Sequence, residues 1–148
     1  MFTSRHARTT AIGFAALAAL TFGGAGAAQA APPDTTRVPL STGQETPAPT
    51  EGGAHGSFTY EIDGDELCYT LEVTGLSSDA VAAHIHFAPR NAPGPIVVPL
   101  TVENDTSFVV SDCVTDADVS AIEADPMAYY VNVHTVENMP GEVRGQLR

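Results

Sequence analysis

The sequence contains no lysine, and its six arginines stand against eighteen aspartate and glutamate residues in a chain of 148 residues. Two of those arginines, Arg5 and Arg8, lie in the first ten residues, which contain no acid. Without that segment the net charge is about −14, and such a surface repels phosphate backbones and anionic lipid headgroups. The composition therefore argues against a nucleic-acid partner and favours cations, metal ions and basic partners, although solubility alone would also account for it.

Long apolar runs are also lacking, apart from one at residues 11–22. That run is too short for a membrane-spanning helix, which needs about 20 apolar residues. It follows the basic segment and precedes Ala28-Gln29-Ala30, which is the order found in a secretory signal peptide. We therefore expect residues 1–30 to be a signal peptide that is cleaved after Ala30. The mature chain is expected to be secreted, without insertion into the membrane.

The mature chain has the length of one ordinary domain. Its first residues, 31–37, are rich in proline and are predicted to form a flexible leader. We expect the ordered domain to comprise residues 38–148.

Only two cysteines are present, Cys68 and Cys113. In an exported chain an even number of cysteines indicates a disulfide, and two free buried thiols are the alternative. The predicted bridge closes a loop of roughly 45 residues and would stabilise the domain by about 4 kcal/mol.

The sequence lacks the usual signatures of catalysis. No serine or cysteine nucleophile with an identifiable base stands out, and no glycine-rich phosphate-binding loop is present. We therefore assign no catalytic residue, and we expect a non-enzymatic protein that requires no cofactor.

Apolar and polar residues alternate along most of the domain, which indicates β-strands. On either side of Asp63-Gly64-Asp65, every second residue in 58–62 and in 67–73 is apolar, as in a β-hairpin. Further strands are predicted at residues 81–87, 96–100, 107–113, 128–135 and 142–147, with a helix before the last two. The predicted fold class is all-β, an immunoglobulin-like sandwich or a Greek-key β-barrel of about 7–8 strands with one short helix.

Strand parity gathers the polar side chains of three strands. In residues 81–87, Val81, Ala83, Ile85 and Phe87 share an apolar face, and His84 and His86 share the other face. The same rule separates a polar face from an apolar one in the strands at residues 128–135 and 142–147. If the three strands are neighbours, they form one polar patch. It comprises His84, His86, Tyr130, Asn132, His134, Glu142 and Arg144.

The histidines of this patch predict a metal site. His84 and His86 are about 7 Å apart at their Cα atoms, and His134 is the natural third ligand, with His55 as a further candidate. Neutral imidazoles suit copper or zinc. The alternative is that the rings bind backbone carbonyls or Glu142, and that the polar face is the solvated side of a sheet.

Several segments resemble the CHRD domain, a family named after the animal protein chordin and also found in bacterial secreted proteins. They are LSTGQETPAP, GSFTYEI, ELCYTLEVTGL, AHIHFAPRNAPGPIVVPL and YYVNVHTVENMPGEVRGQLR. The resemblance covers about residues 38–148 and implies an extracellular immunoglobulin-like or barrel-like β domain, with no catalytic residues to carry over. On this interpretation the protein is a secreted, non-enzymatic module with a binding or structural role. Its partner would be an extracellular protein or surface component.

The sequence also has a looser similarity to copper-zinc superoxide dismutase, which has an H-x-H strand and a later histidine followed by a strand with glycine and arginine. By that analogy His84, His86 and His134 would be copper ligands, and Arg144 would steer the anion. The further histidines and the aspartate that form the zinc site of that family have no counterpart here. The alternative function is therefore a copper- or zinc-binding β domain. Dismutase-like redox chemistry would then require copper at this site.

Overall fold

The computed structural model describes residues 36–148. The predicted signal peptide, residues 1–30, and residues 31–35 of the predicted leader lie outside the described residues. Residues 36 and 37, which we also assigned to the leader, already belong to the first strand. Among the described residues, no helix has the length and hydrophobicity needed to cross a bilayer.

Eight strands form one antiparallel sheet in the order β5-β4-β7-β8-β1-β2-β3-β6. They are β1 (Thr36–Ser41), β2 (His55–Asp63), β3 (Glu66–Thr74), β4 (Ala80–Phe87), β5 (Ile96–Leu100), β6 (Phe108–Thr115), β7 (Tyr129–Thr135) and β8 (Val143–Gln146). The edge strands β5 and β6 approach each other. Thr101 Oγ1, just after β5, donates a hydrogen bond to Asp112 of β6 at 2.6 Å. The sheet is therefore a nearly closed barrel, and the predicted all-β class is confirmed.

The hairpin of β2 and β3 supplies much of the core. Its predicted apolar face is buried, with Phe58 and Leu67 at 0% exposure. Asp63 pairs with Glu66, so the two turn residues are Gly64 and Asp65, which lie within the predicted turn Asp63-Gly64-Asp65. Gly64 has φ of 66°, a value that suits a residue without Cβ at the first turn position of a hairpin.

The predicted short helix lies between β6 and β7. It spans α1 (Val119–Ala124), and its two buried residues, Val119 and Ile122, pack into the hydrophobic core. These residues are three apart in sequence and therefore share one helix face. The helix thereby adds to the core of the barrel.

The apolar face predicted for β4 is only partly correct. Ala83 and Ile85 are buried, but Val81 and Phe87 are 42% and 51% exposed. Val81 is exposed because the register of β4 on β7 shifts at this residue, which is the mark of a β-bulge. Phe87 is the last residue of the strand, where its ring packs against that of Tyr129 with centroids 5.1 Å apart.

Cys68 and Cys113 form the predicted disulfide. They occupy directly opposed positions of β3 and β6. The bridge lies on the outer face of the sheet, since the neighbours of Cys68 in the strand, Leu67 and Tyr69, point into the core. It therefore ties the edge strand β6 to the hairpin.

The outer face of the sheet differs between its two halves. Over β3 and β6 it is largely accessible, and residues such as Glu72 and Ser111 are exposed. Over β7 it is covered, because all seven residues of that strand are buried. The expectation that the polar face is the solvated side of a sheet is therefore wrong for β7. The covering segments are the loops that follow β1, β4 and β7.

Candidate functional site

Three histidines meet on the covered outer face of β4 and β7. His84 and His86 are two residues apart on β4, and His134 is on the adjacent strand β7, where it pairs with Ala82. One ring nitrogen of each histidine lies within 4.8 Å of the others. His84 Nδ1 and His134 Nε2 are only 3.0 Å apart. The structure thus brings the three predicted residues together in a cluster that could hold a metal ion.

Backbone carbonyls fix the orientation of two of these rings. His86 Nδ1 donates to Gly94 O at 2.9 Å, and His134 Nδ1 donates to Met139 O at 2.8 Å. A carbonyl oxygen only accepts hydrogen bonds, so both Nδ1 atoms carry protons. In the neutral rings, Nε2 is then an unprotonated acceptor. His55 lies elsewhere, exposed at the start of β2 with Nδ1 3.0 Å from Gly53 O.

Burial keeps the clustered histidines uncharged near neutral pH. It lowers the pKa of His84 to about 4, and the adjacent His134 and His86 act in the same direction. Burial also lowers the pKa of His86 and the pKa of His134, against the opposing effect of their carbonyl bonds. Unprotonated imidazole is the form that binds metal ions.

His86 belongs to a stack of three side chains across β4, β7 and β8. The ring of Tyr130, its partner in the strand register, lies 4.8 Å away at an interplanar angle of 9°. The guanidinium carbon of Arg144 lies 3.4 Å from the centre of the Tyr130 ring. Arg144 lies over Tyr130 because a cation prefers the face of an aromatic ring. Tyr130 in turn stacks on His86 and holds the plane of its ring.

Arg144 also holds the loop that follows β4. Its guanidinium donates to Ala92 O at 2.9 Å and to Pro89 O at 3.0 Å. The same loop contains Gly94, whose carbonyl binds His86. Arg144 is 1% exposed, so its donors serve the loop and do not face solvent. This arrangement does not fit a residue that steers an anion from solution.

Glu45 is a buried acid that the sequence analysis did not find. It is 7% exposed and lies against Asn132 and Arg144. Burial raises its pKa to about 7, although the positive charge of Arg144 and the amide of Asn132 act in the opposite direction. The residue lies in a proline- and glycine-rich loop, where strand parity gives no information. Its only signal was its place in the LSTGQETPAP segment.

Three buried acceptors on this face have no hydrogen-bond partner among the described residues. They are Glu45 Oε1, His86 Nε2 and Asn132 Oδ1. A buried acceptor without a donor costs about 1–3 kcal/mol. Gly141 makes room for two of these side chains: a Cβ on it would lie 2.7 Å from Asn132 Nδ2 and even closer to Glu45 Oε1.

Glu142 is directed away from the histidines. Its carboxylate accepts hydrogen bonds from Ser77 N at 2.7 Å, Thr135 Oγ1 at 2.7 Å and Asn138 Nδ2 at 3.2 Å. It forms no hydrogen bond with any clustered histidine. Of the predicted polar patch, the structure therefore groups Tyr130, Asn132 and Arg144 with the three histidines and leaves Glu142 in a separate network.

A family model described as CHRD domain matches residues 36–147 of the chain. The match includes the three histidines and every side chain described around them. A search of curated proteins and a search of solved structures each find no match.

Proposed function

This chain belongs to the CHRD domain family, and we propose that it is an exported, non-enzymatic module that binds a basic extracellular partner. The observation that carries the proposal is the acidity of its accessible surface. The proposal has two parts, export and the chemistry of the partner.

Export is supported by the disulfide between Cys68 and Cys113. Cytoplasmic thiols are kept reduced, whereas disulfides persist outside the cytoplasm. Cys113 is exposed, so the bridge would be within reach of cytoplasmic reductants. The basic and apolar segment at residues 1–30 supports the same compartment.

A basic partner is supported by the distribution of charge. Of the four arginines in the domain, Arg144 is buried and bound to its own loop, which leaves Arg37, Arg90 and Arg148 at the surface. Exposed carboxylates far outnumber these three arginines. A field of one sign attracts an oppositely charged partner and speeds its association.

The contact that best suits such a partner is at the hairpin. A cavity of about 320 Å³ is lined by Glu61, Ile62, Asp63, Glu66 and Cys68. Its three carboxylates surround a volume that can take a lysine or arginine side chain, whose apolar stem would contact Ile62. We therefore infer that a basic side chain of the partner enters this cavity.

The experiment uses the protein recovered from the medium of an expressing bacterium and a fluorescent ten-lysine peptide as probe. Fluorescence anisotropy should show binding that weakens as salt is raised. The triple variant Glu61→Gln, Asp63→Asn, Glu66→Gln should bind at least roughly 10-fold more weakly, because charges at the contact are lost.

The matched control removes the same charge elsewhere. The triple variant Glu51→Gln, Glu103→Gln, Glu137→Gln changes three exposed acids that do not line the cavity and should weaken binding by about 3-fold at most. Equal losses in the two triple variants would contradict the cavity. Absence of binding by the wild type would contradict the basic partner, and absence of the protein from the medium would contradict export.

A further inference from the structure

His84, His86 and His134 are the group on which a further inference rests. The described residues contain a second group of metal-ligating types, Glu66 with Cys68 and Cys113. That group is not a candidate, because its two sulfurs are joined in the disulfide. The three histidines therefore remain, and they lie outside the acidic cavity assigned to the partner.

The spacing of the ring nitrogens suits one ion. Metal–nitrogen bonds of about 2.0–2.1 Å place neighbouring ligand atoms of a tetrahedral site about 3.3 Å apart. His84 Nδ1 and His134 Nε2 are separated by 3.0 Å, and all three ligand atoms lie within 4.8 Å of one another.

The tautomers of two rings already suit coordination. His86 and His134 each donate Nδ1–H to a backbone carbonyl, which leaves Nε2 of both rings unprotonated and able to coordinate an ion. A carbonyl at the second ring nitrogen is the common support of metal-binding histidines. His86 Nε2 is buried and has no hydrogen-bond partner among the described residues, and its residue is 6% exposed.

We propose that His84 Nδ1, His86 Nε2 and His134 Nε2 bind one copper or zinc ion. Three neutral imidazoles are borderline ligands that suit these two metals, whereas magnesium and calcium require oxygen ligands. The site goes beyond the partner-binding role and does not depend on it.

Coordination requires one proton to move. His134 Nε2 has no proton, so its 3.0 Å contact with His84 Nδ1 is a hydrogen bond donated by His84. When the ion binds, that proton leaves Nδ1 and a proton is taken up at Nε2 of the same ring. His84 is only half-buried, so solvent can supply that proton. The ring stays neutral, and no net proton is released.

The experiment titrates the chelator-treated full chain with CuCl₂, ZnCl₂ and MgCl₂ in separate calorimetric runs. We expect one Cu²⁺ or one Zn²⁺ per chain, tighter binding of Cu²⁺, and no binding of Mg²⁺. The electron paramagnetic resonance signal of bound Cu²⁺ should show splitting from nitrogen nuclei. His86→Ala and His134→Ala should each weaken binding by at least roughly 100-fold, more than the loss of a supporting group causes.

The chain offers a matched control in His55, which is exposed and lies outside the cluster. The variant His55→Ala should retain wild-type affinity, and circular dichroism should show that each variant is folded. If His86→Ala does not fold, the ring resonances of the wild type decide: Zn²⁺ should shift those of His84, His86 and His134 and leave His55 unchanged. Absence of binding, wild-type affinity in folded His86→Ala, or shifts confined to His55 would each overturn the proposal.

Discussion

At the scale of single residues, the fold opposes the ionisation of Glu45. Its carboxylate is buried beside Arg144 and Asn132, yet desolvation outweighs the attraction of the arginine and raises the pKa from 4.5 to about 7. The folded protein therefore binds a proton at Glu45 more tightly than the unfolded chain does. The resulting contribution to stability is full below pH 4.5 and is lost as the pH rises through 7.

Glu45→Gln should remove this pH dependence. Glutamine has nearly the same shape and keeps an uncharged group in the site. The free energy of unfolding of Glu45→Gln should exceed that of the wild type by up to about 3 kcal/mol at pH 8. The difference should disappear near pH 4. Urea unfolding at several pH values measures this difference.

Taking the difference between variant and wild type separates Glu45 from the other groups that titrate nearby. The clustered histidines act in the opposite sense, because burial lowers their pKa values and acid therefore destabilises the fold through them. A difference for Glu45→Gln that is constant from pH 4 to 8 would contradict the buried, protonated state.

At the scale of elements, the site depends on a strand that fastens a loop. Arg144 of β8 stacks on Tyr130 of β7 and donates to two carbonyls of the loop between β4 and β5. That loop presents Gly94 O to His86. The orientation of the His86 ring is therefore set by an arginine that does not contact it through a hydrogen bond.

Arg144→Met should loosen this loop. The change leaves the carbonyls of Pro89 and Ala92 without their donor, and Glu45 without its cation, so we expect a loss of about 3 kcal/mol or more in the free energy of unfolding. Hydrogen exchange should become faster at the backbone amide of Gly94, which donates to the Tyr130 hydroxyl at 3.3 Å.

Two further variants test the explanation. Arg144→Lys should restore little, because an ammonium group lacks the planar fork that stacks on Tyr130 and reaches two carbonyls. Arg90→Met, in the same loop but exposed, should change stability by about 0.5 kcal/mol at most. An Arg144→Met protein with wild-type exchange in the loop would show that other contacts fasten it.

Strand parity predicted the strands and the faces that carry the histidines, since both depend on local alternation. It could not predict the bulge at Val81, because the register of β4 on β7 depends on a partner distant in sequence. Nor could it predict that loops bury the polar face or that Glu142 turns to Ser77 and Thr135. Glu45 was missed for the same reason, because its burial results from tertiary packing of a loop without periodicity.

At the scale of the whole molecule, the disulfide restrains the chain over a separation of 45 residues. Cys68→Ser, Cys113→Ser should lower the free energy of unfolding by roughly 2–4 kcal/mol, because the unfolded chain regains the freedom that the bridge removes. Urea unfolding with and without reductant measures the effect. Reductant should destabilise the wild type by a similar amount and leave the double variant unchanged, and an effect on the variant would assign the loss to something other than the bridge.

The position of β1 in the sheet has a consequence for the order of events during synthesis. β1 lies between β2 and β8, so the earliest described strand pairs with the latest. In the ladder of the described strands, β8 joins β7 and β4 to β1, and β8 ends at Gln146. The residues up to Gln146 must therefore have left the ribosome before the barrel can assemble. A nascent chain that cannot complete its fold stays unfolded. An unfolded chain is what a translocation channel for unfolded polypeptides accepts.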